Sequence, residues 1–158
     1  IISKETAYQI TSMLEGVVQR GTGRNLRDLK LTLAGKTGTT NKNMDAWFIG
    51  FTSKLVIGVY VGADQPKPLG KYETGAKTAL PIFKSFVKKA VNKEDARPFK
   101  VAKNILMMVI DPLTGKKSDA KSTKTIIESY KKNSLFKEDV FNLNVNNRLK
   151  DDNILRFY

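Results

Sequence analysis

Ala34-Gly35-Lys36-Thr37-Gly38-Thr39-Thr40-Asn41 is the stretch on which the reading of this chain turns. Gly35-Lys36-Thr37 has the ending of a phosphate-binding P-loop, but that motif needs a glycine where Lys30 stands. Residues 31–34 are strand formers rather than a flexible loop, and no helix follows on which a phosphate could sit. A strand at the rim of a site accounts for the residues better. The Lys36 ammonium supplies positive potential, and the hydroxyls of Thr37 and Thr39 can bond a carboxylate. Gly38, without a Cβ, lets a substrate backbone lie against the strand edge. The Thr39 N–H can face an acyl oxygen as half of an oxyanion hole. The candidate site is therefore Lys36, Thr37, Gly38, Thr39 and Thr40, with Lys36 and Thr39 as the catalytic candidates.

Working outward, Leu31–Ala34 leads into this stretch as a strand, and Asn41-Lys42-Asn43 is a turn. Ala46–Phe51 and Leu55–Gly62 alternate as strands, with Trp47, Ile49 and Phe51 on one face of the first. Thr52-Ser53-Lys54 closes them into a hairpin. Upstream, Ser3 caps a helix whose Ala7, Ile10, Leu14, Val17 and Val18 recur at helical spacing, and Gly21-Thr22-Gly23 ends it. A basic stretch, Arg24 to Lys30, connects that helix to the strand. Downstream, Asp64–Gly75 is a Pro- and Gly-rich loop. Ala79, Ile82, Phe83, Phe86, Val87, Ala90 and Val91 mark a second helix, with Pro81 in its first turn. The expected class is α+β, an antiparallel sheet covered by helices.

The character changes near Arg97-Pro98, so residues 1–97 form the expected domain and 98–158 an extension. Ile105–Ile110 is a further strand, closed by the Asp111–Gly115 turn. A short helix is expected near Thr125–Lys132, and the last forty or so residues, rich in Lys and Asn, form a weakly packed tail. The chain opens Ile1-Ile2 inside a helical pattern, which predicts that it was cut from something longer. Its apolar runs are far shorter than the roughly 20 residues of a spanning helix.

Composition removes several classes of chemistry. There is no cysteine, hence no disulfide, thiolate metal site or cysteine nucleophile, and no histidine, hence no Ser-His-Asp triad. Neither a metal nor a cofactor is implied. The net charge of +13, from 28 basic and 15 acidic residues, fits an anionic neighbour or a generally basic surface. Aromatics do not interleave with the basic residues as stacking on nucleic acid requires, so no nucleic acid is expected.

The run Ala34–Asn41, followed by Asp45-Ala46-Trp47-Phe48-Ile49-Gly50-Phe51-Thr52, resembles class A penicillin-binding proteins, the 1A-type bifunctional enzymes above all. Ser12–Val18, Gly21-Thr22-Gly23, Val61-Gly62, Lys67-Pro68-Leu69-Gly70 and the helix after Thr78 fit the same pattern, so the resemblance spans residues 1–98. It implies part of the penicillin-binding and serine β-lactamase-like transpeptidase fold. In that family three motifs build the site, Ser-x-x-Lys, Ser-x-Asn and Lys-Thr-Gly. Only the last is present here, as Lys36-Thr37-Gly38.

The resemblance implies that Lys36 sets the electrostatics, that Thr37 and Thr39 hold the substrate carboxylate, and that Thr39 N–H completes the oxyanion hole. Asp45 and Trp47 are read as structural. Ser-x-x-Lys occurs at Ser85, Ser118, Ser129 and Ser134, but always after the Lys-Thr-Gly strand, so these are treated as chance matches. The implied partners are peptidoglycan stem peptides, β-lactams and the remainder of the transpeptidase domain. The implied location is the periplasmic face of the bacterial cytoplasmic membrane, through an upstream anchor beside a glycosyltransferase domain. The chain alone is expected to be inactive. Two alternatives stand beside this reading: a serine β-lactamase, disfavoured by the sixty or so residues after the second helix, and a non-catalytic basic module that binds an anionic polymer.

Overall fold

The computed structural model describes residues 1–118 and 124–132. They fall into two compact units. One combines residues 1–12 with the described part of the chain from Lys100 onward; the other comprises Met13–Phe99. Helix α1 (Lys4–Arg20) contributes its first turns to one and its last turns to the other. Ser3 caps it as expected, its Oγ accepting from the Thr6 N–H at 3.2 Å.

The unit of residues 13–99 is built on a three-stranded antiparallel sheet, β1 (Ala34–Thr39), β2 (Ala46–Phe51) and β3 (Val56–Val61), in the order β1-β2-β3. The register pairs Gly35 with Gly50, Thr37 with Phe48 and Thr39 with Ala46 on one face. Lys36 pairs with Ile49, and Gly38 with Trp47, on the other. The first face is the buried one. Helix α2 (Leu80–Ala90) lays Leu80, Phe83 and Val87 on it, entered through a π-helical turn at Gly75–Ala79. These side chains join Val18, Leu26, Leu33, Ala46, Phe48 and Ala79 in one core.

The seats of Phe83 and Phe48 explain two glycines. A Cβ on Gly50 would lie 2.6 Å from the Phe83 ring, and one on Gly35 would lie 2.8 Å from the Ile49 carbonyl and 2.9 Å from the Phe48 ring. Gly50 leaves room for the Phe83 ring, which meets Phe48 edge to face with centroids 4.7 Å apart, and Gly35 leaves room for the Phe48 ring. Each fully buried aliphatic or aromatic side chain here contributes about 1.5–3 kcal/mol.

The opposite face of the sheet is open to solvent. Trp47, Ile49, Val56 and Tyr60 are 40%, 49%, 72% and 51% exposed, so among the described residues helices cover one face. The apolar stripe of α1 is likewise uneven, with Val18 buried and Ala7 and Ile10 exposed.

Two sequence expectations shift at the edges of β1. Leu31–Leu33 is not in the ladder, because β2 ends at Phe51 opposite Ala34 and offers these residues no partner. Lys30, left-handed at φ 53°, breaks the chain direction just before them. The basic stretch expected as a connector is instead a 3₁₀ helix, Arg24–Leu29, anchored by buried Leu26. The hairpin closes at Thr52, whose buried hydroxyl accepts from the N–H groups of Lys54 and Leu55 at 3.1 and 3.0 Å.

In the other unit, β4 (Ile105–Ile110) pairs antiparallel with β5 (Ile126–Lys131). This corrects the helix expected near Thr125–Lys132. Ile126, Ile127 and Tyr130 are β-branched or aromatic, and β4 offers them a full ladder. It also corrects the weakly packed tail over this stretch, since Ser129 is buried in the hairpin. Residues 119–123 and 133–158 of that expected tail lie outside the described residues. The Asp111–Gly115 turn forms as read, with Gly115 at φ 69° and its N–H on the Asp111 carbonyl at 2.8 Å. Within this unit the first turns of α1 meet β5: Gln9 Nε2 donates to the Ser129 carbonyl at 3.0 Å, and Lys131 Nζ to Thr6 Oγ1 at 2.8 Å.

Phe83→Ala is expected to destabilise the protein by about 3–5 kcal/mol in urea unfolding, because the fully buried ring leaves a cavity over Gly50 and Phe48. Gly50→Ala should destabilise as well, despite its single added methyl, because the methyl meets that ring. Half-burial on α1 pushes the Glu15 carboxyl above its ordinary range. The folded state therefore holds this proton more tightly than the unfolded one, and its penalty grows as pH rises past the ordinary carboxylate pKa. Glu15→Gln should raise the melting temperature at pH 7, with the gain vanishing near pH 3.

Candidate active site

β1 is an edge strand, and its free edge carries the candidate residues. Strand alternation places Lys36 on the face opposite Thr37 and Thr39. The lysine nevertheless folds back along the edge: its Nζ donates to the Thr37 carbonyl at 3.0 Å and stands 3.5 Å from Thr37 Oγ1. Among the described residues Lys36 makes no ion pair, and its ammonium is exposed. A cation held at a strand edge without a carboxylate partner is free to meet an anionic ligand.

The three threonines have different neighbours. Thr37 Oγ1 lies 3.0 Å from Thr22 Oγ1. Thr39 Oγ1 accepts from the Gly75 N–H at 3.0 Å, which ties the entry to α2 onto the end of β1. Thr40 is taken up by its own turn. Its hydroxyl accepts from the Asp45 N–H at 2.8 Å and donates to Asp45 Oδ2 at 3.2 Å, while its N–H donates to the Asp45 carbonyl at 3.1 Å. Asp45 also accepts from the Tyr60 hydroxyl at 2.8 Å, which holds the Tyr60 phenol above its ordinary pKa. Asp45 thus locks a turn and steadies Tyr60. Trp47 packs on Tyr60 with ring centroids 4.7 Å apart.

Gly38 faces the next strand closely. A Cβ there would point along the sheet face and lie 3.1 Å from the Trp47 Cβ, so the glycine makes room for the indole of the next strand. Gly75 was not singled out from the sequence, yet a Cβ on it would collide with the carbonyl oxygens of Gly38 and Trp47. Only this close approach lets its N–H reach Thr39. Thr22 was read as part of a helix stop and of the family pattern, with no role in the site; its hydroxyl contact with Thr37 crosses fifteen residues and has no local signature. Of the Ser-x-x-Lys matches, Ser85 is exposed on α2, Ser129 is buried on β5, and Ser118 follows β4. Ser134 lies outside the described residues.

The family model of the penicillin-binding protein transpeptidase domain matches residues 1–88, which contain this whole edge. The chain belongs to the penicillin-binding protein transpeptidase family. It is 45% identical over 135 residues to penicillin-binding protein 1A of Rickettsia prowazekii, covering 85% of this chain and 17% of that protein. To penicillin-binding protein 1A of Pseudomonas aeruginosa it is 42% identical over 132 residues, 83% of this chain and 16% of the relative. A crystal structure of penicillin-binding protein 1A from Haemophilus influenzae superposes with a TM-score of 0.71 at 33% identity, over 81% of this chain and 20% of that one. The chain spans about a sixth of the length of the curated relatives it matches. The transpeptidase family thus accounts for the partial α+β fold. No helix among the described residues is long and apolar enough to cross a membrane.

Thr39→Val is expected to cost about 1–3 kcal/mol in urea unfolding, because the Gly75 N–H beneath it loses its acceptor, whereas Thr39→Ser should retain near-native stability.

Proposed function

We propose that this chain forms the Lys-Thr-Gly wall of the active site of a serine-type DD-transpeptidase that cross-links peptidoglycan stem peptides. The observation that carries this reading is the free edge of β1, where an unpaired ammonium and a threonine hydroxyl stand together on a strand held rigidly from below. The nucleophilic serine and its lysine belong to Ser-x-x-Lys and Ser-x-Asn motifs outside this chain. The serine oxygen attacks the carbonyl carbon of a D-Ala-D-Ala bond, the C–N bond breaks, and D-Ala leaves with a proton. An acceptor amine then takes the acyl group and restores the serine. A β-lactam meets the same serine by opening its ring amide and stays attached.

In this reading Lys36 provides the positive potential, Thr37 and Thr39 bind the substrate carboxylate, and Thr39 N–H is one donor to the oxyanion. The exposed sheet face of Trp47, Ile49, Val56 and Tyr60 is the surface on which the remainder of the domain packs. Residues 1–97 are the transpeptidase portion and 98–158 an extension. An upstream anchor places the enzyme, with a glycosyltransferase domain, at the periplasmic face of the cytoplasmic membrane. The chain alone turns nothing over, since the parts of such a site act as a unit.

The test is labelling by a reporter penicillin, read by intact mass and peptide mapping, on the full-length protein carrying this sequence and on this chain. The expected adduct lies on a serine upstream of Ile1, with none on the chain alone, and Lys36→Ala should slow acylation about a hundredfold or more. A folded full-length protein that takes no label would overturn the transpeptidase reading; an adduct on Ser85, Ser118, Ser129 or Ser134 would relocate the nucleophile.

A further inference from the structure

The Thr22–Thr37 contact has a chemical consequence for the edge of β1. A threonine hydroxyl has one proton and two lone pairs. At 3.0 Å one of the two hydroxyls donates to the other, and geometry permits either direction. If Thr37 donates to Thr22, its outward side shows only lone pairs, which repel a carboxylate. If Thr22 donates to Thr37, the Thr37 proton is released toward the free edge of the strand. Lys36 Nζ, 3.5 Å from the same oxygen, can occupy the remaining Thr37 lone pair in the second arrangement, leaving the Thr37 proton as the group turned outward.

The position of Thr22 is built rather than incidental. Gly21 and Gly23 both donate to the Val17 carbonyl, at 3.1 and 2.9 Å. A Cβ on Gly21 would lie 3.0 Å from Val17 Cα, and one on Gly23 would lie 3.2 Å from the Val17 carbonyl oxygen. The glycines let the loop press against the last turn of α1 with no side chain in the way. Val18 on one side and Leu26 on the other are fully buried. The exposed threonine between the glycines is held over β1 from both directions.

We infer that Thr22 is a positioning residue of this site: it supplies the proton that turns the Thr37 hydroxyl into a donor toward the ligand carboxylate. The inference rests on the transpeptidase reading above. In the full-length protein, Thr22→Val and Thr22→Ser are compared with wild type by second-order acylation rate constants. The ligands are benzylpenicillin and its methyl ester, which lacks the carboxylate charge. Thr22→Val should lose about tenfold against benzylpenicillin and less than about twofold against the ester, while Thr22→Ser stays near wild type. An equal loss against both ligands would mean a merely structural role. No loss, or a serine variant as slow as the valine one, would equally overturn the inference while leaving the transpeptidase reading intact. A wild-type protein acylated by neither ligand would remove that reading and this inference together.

Discussion

The ring of Phe83 lying against Gly50, edge to face with Phe48, sets where everything else in this unit can be. It fixes the distance between α2 and the sheet, because no bulkier residue at Gly50 would let the helix come down. Gly35, paired with Gly50, in turn lets β1 close on the Phe48 ring and the Ile49 carbonyl. The Lys-Thr-Gly edge begins one residue beyond Gly35. The core contact and the chemically exposed residues are therefore neighbours on one strand, and a shift in the first would move the second.

The elements of this unit were legible in the sequence because period and chemistry agreed. Alternation in Ala46–Phe51 and 55–62 stood out against the helical spacing of Phe83, Phe86 and Val87, and the resemblance put the pieces in order. The failures share a physical origin. At Leu31–Leu33 the residues were good strand formers, but a strand needs a partner, and the length of β2 is not written in the sequence of β1. At Ile126–Lys131 scattered apolar residues among lysines gave no clear period, and only pairing with β4 decided between helix and strand.

The candidate site was legible to a different depth. Lys36, Thr37 and Thr39 could be picked out because an ammonium, hydroxyls and a glycine share one short strand. Their neighbours could not. Thr22 and Gly75 arrive from distant segments, and what matters about each is one hydrogen bond made possible by missing side-chain atoms: at Gly75 itself, and at Gly21 and Gly23 around Thr22. Local patterns do not encode such approaches.

Asn43 adopts a left-handed conformation at φ 53°, which asparagine tolerates better than most residues. Its side-chain amide donates to the carbonyls of Gly70 and Lys71 at 3.1 and 2.9 Å, and its own carbonyl accepts from the Leu69 N–H at 2.9 Å. With Gly75 fastened to Thr39, the second half of the long connection between β3 and α2 is stitched to the turn after β1 at both ends. The stitches leave Asp64–Pro68 as the part of the connection where added length meets least resistance, whereas a single residue added between Leu69 and Gly75 would have to be absorbed against β1 itself.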